Sequence, residues 1–250
     1  MNRRMHNYFD LTGKVALITG GSRGLGREMA LAFADAGADI VVSSRKIENC
    51  EAVAAAIQKM GRRSMAIAAH AGKWTENDRL IEAVYAHFGR IDILVNNAGM
   101  SPAVPSQEVS EELFDKVVSL NFKGPFRLAA QIGHRMSLGG GGSIINISSG
   151  AAFKPMPKVV AYAGAKAALN AMTVSLAQEF GPTVRVNAIA AGPFLTDVSK
   201  AWTEEARRVA SNALGRPGRP EEIITTALYL ASPASSYVSG AIVRCDGGLR

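Results

Sequence analysis

The feature that most limits how this chain can fold is its alternation of two apolar rhythms. Short β-branched runs recur along the sequence: Val15–Thr19, Ile40–Ser44, Ser64–Ala69, Ile91–Val95, Ser143–Ile147, Val184–Ile189 and Ala241–Arg244. Between them lie longer stretches with helical spacing: Leu25–Ala36, Glu48–Met60, Thr75–Phe88, Ser110 to about Met136, Val159–Phe180 and Glu221–Ala231. Gly37, Gly61 and Gly89 stand where the chain must leave a helix, and Thr75 is placed as an N-cap. Strand–helix alternation from end to end builds right-handed βαβ units, whose sheet is covered by helices on both faces. The expected fold class is therefore α/β: a doubly wound, mostly parallel seven-stranded sheet. Residues 11–250 read as one domain and residues 1–10 as an N-terminal arm.

Several function classes fall away early. No apolar run approaches the roughly 18 residues that span a bilayer, and the first ten residues lack the apolar core of a secretory signal. The net charge of +7 could serve nucleic acid, but its basic residues are scattered and aromatics are only 6%. Neither a membrane nor a nucleic acid is an expected partner. Cys50 and Cys245 are the only cysteines and show no metal-ligand spacing. No metal is expected, and a reducing, cytoplasmic setting is.

In a doubly wound sheet, ligands bind beyond the carboxyl ends of the strands. The first such loop reads Thr19-Gly20-Gly21-Ser22-Arg23-Gly24-Leu25-Gly26. Glycines let the backbone approach a phosphate closely, and the next helix aims its free N–H groups at the anion. Gly20, Ser22, Arg23, Gly24, Leu25 and Gly26 are thus candidate dinucleotide contacts. After the second strand come Ser44-Arg45-Lys46 with no acid to bond a ribose 2′-hydroxyl. Arg45 and Arg23, helped by Ser44, suit a 2′-phosphate, so NADPH is favoured over NADH as cofactor. The plainer alternative is that Arg45 and Lys46 merely open a solvated helix.

Tyr162 and Lys166 are four apart on one predicted helix and share a face. Reduction of a ketone needs a proton donor at its oxygen, and a nearby ammonium would bring a phenol toward neutrality. Ser149, after the fifth strand, can bond and orient the substrate oxygen, with Ser148 as the alternative serine. Asn121, unfavourable in a helix interior, can kink it and hold a water beside Lys166; otherwise it simply faces solvent.

The chain from about Leu11 to Gly248 resembles the short-chain dehydrogenase/reductase family, with similarity to 3-oxoacyl-(acyl carrier protein) reductases. The motifs that carry the resemblance are the glycine loop, Asn96-Asn97-Ala98-Gly99, Asn121, Ser149, Tyr162-x-x-x-Lys166, Pro193 with Thr196, and Asp246-Gly247-Gly248. It implies a Rossmann-type fold and a catalytic tetrad of Asn121, Ser149, Tyr162 and Lys166. It further implies that Asn97, Ala98 and Gly99 line the adenosine ribose, and that Lys166 bonds the nicotinamide ribose. Ile189–Thr196, with Pro193, Phe194 and Thr196, would close over the nicotinamide. The offset of thirteen residues to Tyr162 favours Ser149 over Ser148. The family commonly has Asp-Val after the third strand, whereas this chain has His70-Ala71. A neutral imidazole nitrogen there could accept from the adenine amino group, or the histidine is merely exposed. A second departure is Ala190-Ala191-Gly192-Pro193, where the family often has a proline before the glycine.

Ser101, Ala151, Phe153, Met156, Phe194 and Trp202 are expected round the nicotinamide. They are mostly apolar and uncharged, which favours a neutral carbonyl or secondary alcohol as substrate. Phe153, Met156 and Trp202 serve equally well as core or oligomer contacts. The resemblance implies a homotetramer, with Val159–Phe180 and the C-terminal segment at its interfaces. The main competing reading is a dinucleotide-binding sensor or scaffold that has lost catalysis.

Overall fold

The computed structural model describes residues 8–197, 199 and 202–249. The first seven positions of the expected arm lie outside them. Seven strands form one sheet: β1 (Val15–Thr19), β2 (Asp39–Ser44), β3 (Ser64–Ala68), β4 (Ile93–Asn96), β5 (Gly142–Ser149), β6 (Val184–Ala191) and β7 (Ile242–Cys245). Their order is β3-β2-β1-β4-β5-β6-β7, and every pairing is parallel. The sheet is Rossmann-like. From β1 the chain builds outward to β3, then returns to place β4 on the other side of β1. The order thus reverses between β1 and β4, and a crevice opens there beyond their carboxyl ends.

The helices are α1 (Gly24–Asp35), α2 (Ile47–Lys59), α3 (Trp74–Phe88), α4 (Glu111–Val118), α5 (Gly124–Leu138), α6 (Val160–Glu179), α7 (Glu204–Arg208) and α8 (Ile224–Ala231). Because side chains alternate along a strand, each strand feeds both faces. Ala16 and Ile18 join Met29 and Phe33 of α1, Val53 and Ile57 of α2, and Leu230 of α8. Val15 and Leu17 face the other way, toward Leu80 and Val84 of α3, Ile132 of α5, and Leu169 and Leu176 of α6. All five residues of β1 are buried, as a strand covered on both faces must be.

The largest departure from the sequence reading is the region expected to be one helix from Ser110 to Met136. Ser110 does cap its start, accepting the Leu113 N–H at 3.2 Å. A π-helical turn at Ser119–Lys123 then separates α4 from α5. Two causes act together. Asn121 Nδ2 donates to Val117 O at 2.9 Å, competing for a carbonyl of the helix ladder. Pro125 supplies no N–H to continue that ladder. Asn121 is fully buried, so the solvent-facing alternative does not hold.

Smaller differences have similar local causes. α3 begins at Trp74 with Lys73 as N-cap, so Thr75 sits inside the first turn instead of capping it. β4 begins two residues later than expected because the buried Asp92 carboxylate takes the Val15 N–H at 2.9 Å and is paired with Arg90. The stretch expected as Glu221–Ala231 opens with a tight 3₁₀ turn over Pro220–Ile223. The short α7 has no counterpart in the sequence reading.

Candidate active site

The glycine loop joins β1 to α1 over the crevice. Gly20 and Gly24 have positive φ, at 63° and 52°. A Cβ on Gly26 would collide with the Gly20 carbonyl oxygen, so only glycine lets α1 start this close to the strand end. α1 also starts bare. Arg23 at its N-cap makes no side-chain capping bond, and no acid stands in the first turn. α4, by contrast, has a serine cap followed by Glu111 and Glu112. An uncapped helix start beside a glycine loop leaves donors and partial positive charge for an external anion.

Asn97 locks this loop from the far side of the crevice. Its Nδ2 donates to Thr19 O at 2.9 Å and Gly20 O at 3.1 Å. Thr19 Oγ1 returns the contact, accepting from Asn97 N at 3.1 Å and Ala98 N at 3.2 Å. Next to it runs a buried amide chain. Asn96 Nδ2 donates to Asn146 Oδ1 at 2.9 Å, Asn146 Nδ2 to Thr173 Oγ1 at 2.9 Å, and Thr173 Oγ1 to Leu169 O at 2.8 Å. It ties β4 and β5 to α6. The sequence reading missed this chain, although an Asn pair at a strand end was its visible trace.

α6 carries Tyr162 and Lys166, and the 3₁₀ turn Gly150–Ala152 follows Ser149 at the end of β5. Ser149 Oγ accepts the Ala151 N–H at 3.1 Å. Ser148 is buried, and its hydroxyl lies 3.4 Å from Lys166 O, against the helix backbone. Of the two serines, Ser149 is the one whose hydroxyl lies beside the Tyr162 phenol. Lys166 is 3% exposed, and its Nζ donates to Ile147 O at 2.7 Å. Asn121 Nδ2 donates to Met100 O at 2.9 Å, while its buried Oδ1 has no partner. A Cβ on Gly99 would lie 2.8 Å from that Oδ1 and 3.7 Å from Lys166 Nζ. Gly99 thus lies beside both groups, and an orphaned buried acceptor near an amine suits an exchangeable proton.

The electrostatics differ from the expected picture. Burial raises the Tyr162 phenol above its ordinary value, and the Ser149 hydroxyl partly opposes this. Burial also brings Lys166 down to about 7. Lys166 has lost the water that would keep it fully charged, and its Nζ bonds the Ile147 carbonyl while lying 5.7 Å from the centre of the Tyr162 ring.

The remaining predicted contacts fall in three groups. Beyond β2, Ser44 Oγ lies 3.1 Å from Cys50 Sγ, and Arg45 is exposed. Beyond β3, His70 Nδ1 accepts the Gly72 N–H at 3.1 Å. In the neutral ring its proton therefore sits on Nε2, so the free edge donates and does not accept as expected. Ala71 is buried, and its carbonyl accepts from Asn77 Nδ2 at 2.9 Å.

After β6, Pro193 and Thr196 flank Phe194, whose ring is buried against Gly218 in the core. Phe194 is thus a packing residue, not an exposed wall. Phe153 and Met156 are 52% and 54% exposed, and Arg244 lies 5.8 Å from the Phe153 ring. Leu249 caps the same region, since a Cβ on Gly150 would meet its Cδ2 at 2.6 Å. A mostly apolar cavity of about 150 Å³ touches Tyr162 and is walled by Pro102, Val104, Leu113, Phe114 and Val159, with Lys158 also on its lining.

Sequence reasoning missed one site feature that spans 174 residues. Arg23 Nη1 pairs with Asp197 Oδ2 at 3.2 Å, joining the glycine loop to the segment after β6. A cavity of about 450 Å³ lies there, lined by Arg23, Gly24, Arg27, Thr196, Asp197 and Arg207. Size, uncapped helix start and arginines together fit the phosphates of a dinucleotide.

Among the described residues there is no cluster of three or more metal-ligating side chains, and no helix is long and apolar enough to cross a membrane.

Comparison with known proteins agrees with this geometry. Residues 14–207 match the family model for short chain dehydrogenase. A 3-oxoacyl-[acyl-carrier-protein] reductase of Thermotoga maritima is 35% identical over 96% of this chain and 98% of its own. A 7α-hydroxysteroid dehydrogenase solved with NADH and 7-oxo glycochenodeoxycholic acid superposes with a TM-score of 0.92 at 35% identity, covering 96% of both chains. A Beutenbergia cavernae protein assigned as an NAD(P)-dependent gluconate 5-dehydrogenase, with NADP at low occupancy, superposes with a TM-score of 0.89 at 33% identity, covering 96% of this chain and 98% of that one. With a glycine-rich loop at the sheet's switch point and this match over most of its length, the chain belongs to the short-chain dehydrogenase/reductase family of oxidoreductases, which act on CH–OH and C=O groups.

Proposed function

We propose that this protein is an NADPH-preferring reductase of a neutral ketone, or the reverse secondary-alcohol dehydrogenase, with Tyr162 as acid/base. Residues 11–250 hold both coenzyme and substrate. The observation that carries the reading is the convergence of Ser149, Tyr162, Lys166 and Asn121 from three separate elements beside one crevice. When bound, the nicotinamide supplies or takes up the hydride. The Ser149 hydroxyl bonds the substrate oxygen and aligns it. Tyr162 Oη gives that oxygen its proton, and Lys166, titrating near neutrality, exchanges protons with the site. Asn121 Oδ1 offers the buried acceptor next to it. The mostly apolar lining of the cavity against Tyr162, to which Lys158 also contributes, supports a largely apolar substrate.

The coenzyme preference rests on the end of β2, where Ser44, Arg45 and Lys46 offer donors and no carboxylate. It is tested by comparing dissociation constants. NADPH should bind more tightly than NADH, and equal or weaker binding removes the preference. For catalysis the test is Tyr162→Phe, which should abolish turnover of any accepted ketone while NADPH still binds. Persisting activity would show that Tyr162 is not the acid. We also propose a cytoplasmic homotetramer, which light scattering checks for assembly and fractionation for location.

A further inference from the structure

We propose that Asp197 sets how strongly this protein prefers NADPH, by holding Arg23 in an ion pair that the coenzyme's 2′-phosphate must displace. The inference rests on the coenzyme reading above and adds a residue to it. Arg23 stands between two choices. Its Nη1 is 3.2 Å from Asp197, on the segment after β6. Two residues before it, the Gly21 N–H donates to Ser43 O at 3.2 Å, which pins the base of the loop to the end of β2. The Ser44-Arg45 corner is the next step along that strand. A long, flexible arginine rooted between the two can serve either.

The charges around it decide the balance. Arg27 lies on the same cavity but is engaged with Glu28 at 2.8 Å. Arg207, the third arginine there, donates from Nε to Ser199 O at 3.0 Å. Arg23 is two-thirds exposed and Asp197 one-third, so their pair is weak and cheaply exchanged. A phosphate dianion offers a guanidinium stronger, paired hydrogen bonds than one exposed carboxylate does. NADPH binding would therefore release Asp197, whereas NADH, lacking the 2′-phosphate, would leave the pair intact. Asp197 then acts as a built-in competitor that lowers the affinity for NADPH more than that for NADH.

The test is direct binding, followed by quenching of protein fluorescence with NADPH and NADH at fixed ionic strength. Asp197→Asn should tighten NADPH about two- to fivefold, the size expected for an exposed ion pair, and change NADH by a clearly smaller factor. Arg23→Ala should weaken NADPH, and adding Asp197→Asn to it should then have a smaller effect than in the unaltered protein. Equal changes for both coenzymes, weaker NADPH binding in Asp197→Asn, or an unaltered effect in the Arg23→Ala background would each overturn the proposal. If the unaltered protein binds both coenzymes equally, the preference itself fails and this inference with it. If it prefers NADPH and Asp197→Asn changes nothing, this inference alone fails.

Discussion

Lys166 lies one helical turn beyond Tyr162, with its Nζ 5.7 Å from the centre of the Tyr162 ring, yet it gives its hydrogen bond to the Ile147 carbonyl. The amine is thus held beneath the phenol by the edge of the sheet. Its burial lowers its pKa from 10.5 to about 7, and this shift reaches beyond the chemistry into stability.

A lysine whose folded pKa is depressed opposes folding most strongly where it must be charged. Between pH 7 and 10.5 the unfolded chain binds the extra proton, so stability rises with pH across that window. Below about pH 7 the full penalty applies. Lys166→Met should therefore unfold at higher denaturant concentration than the parent at pH 6, by up to about 5 kcal/mol. The gap should shrink as pH approaches 10. Urea titrations at pH 6 and pH 9.5 check this, and a gap that grows with pH would contradict it.

The two serines at the end of β5 should separate function from packing. Ser149→Ala should lower kcat about a hundredfold or more, by analogy with the loss of one donor at a developing oxyanion, and leave coenzyme affinity within about twofold. Ser148→Ala should keep most of kcat and cost about 1 kcal/mol of stability, because it removes a weak buried contact to Lys166 O. Steady-state kinetics with coenzyme titration and urea unfolding distinguish the two.

Two glycines offer a matched pair. Gly26→Ala forces a Cβ into the Gly20 carbonyl and against Asn97 Nδ2. It should cost several kcal/mol or prevent folding, and coenzyme binding should vanish in whatever folds. Gly61 also has positive φ, at 80°, but a Cβ there meets nothing within 4 Å. Gly61→Ala should cost only about 1 kcal/mol, the strain of a left-handed alanine. Thermal melts of both variants settle the ranking.

The buried amide chain predicts a long-range effect on the site. Asn146→Ala leaves Asn96 Nδ2 and Thr173 Oγ1 each short of a partner in the core. We expect a loss of about 1–3 kcal/mol, since Asn96 Nδ2 keeps Pro125 O at 3.3 Å and Thr173 Oγ1 keeps Leu169 O at 2.8 Å, so each buried group loses one of its bonds. Because the chain anchors α6, kcat should fall more than coenzyme affinity does.

The fold was legible because two periodicities, of two and of about 3.6 residues, reported separate elements in one dimension. Tyr162 and Lys166 were legible for the same reason: four-residue spacing fixes a shared face before any tertiary structure is known. What stayed hidden depended on partners far away in sequence. The π-helical turn arises because the Asn121 amide competes with the helix, which propensity alone renders only as a weak position. Phe194 reads as an apolar wall, yet a glycine at 218 opens a slot that draws its ring inward. His70 reads as an acceptor until the Gly72 N–H claims Nδ1. The charge of Lys166 was overestimated because burial cannot be counted from neighbours in sequence.

Leu249 rests on Gly150, one residue beyond Ser149, and its carbonyl is gripped by Arg244. The side chain that steadies the turn after Ser149 is thus donated by a residue a hundred positions further along the chain. Leu249→Ala would loosen the backbone that orients the Ser149 hydroxyl and depress turnover without unfolding the sheet.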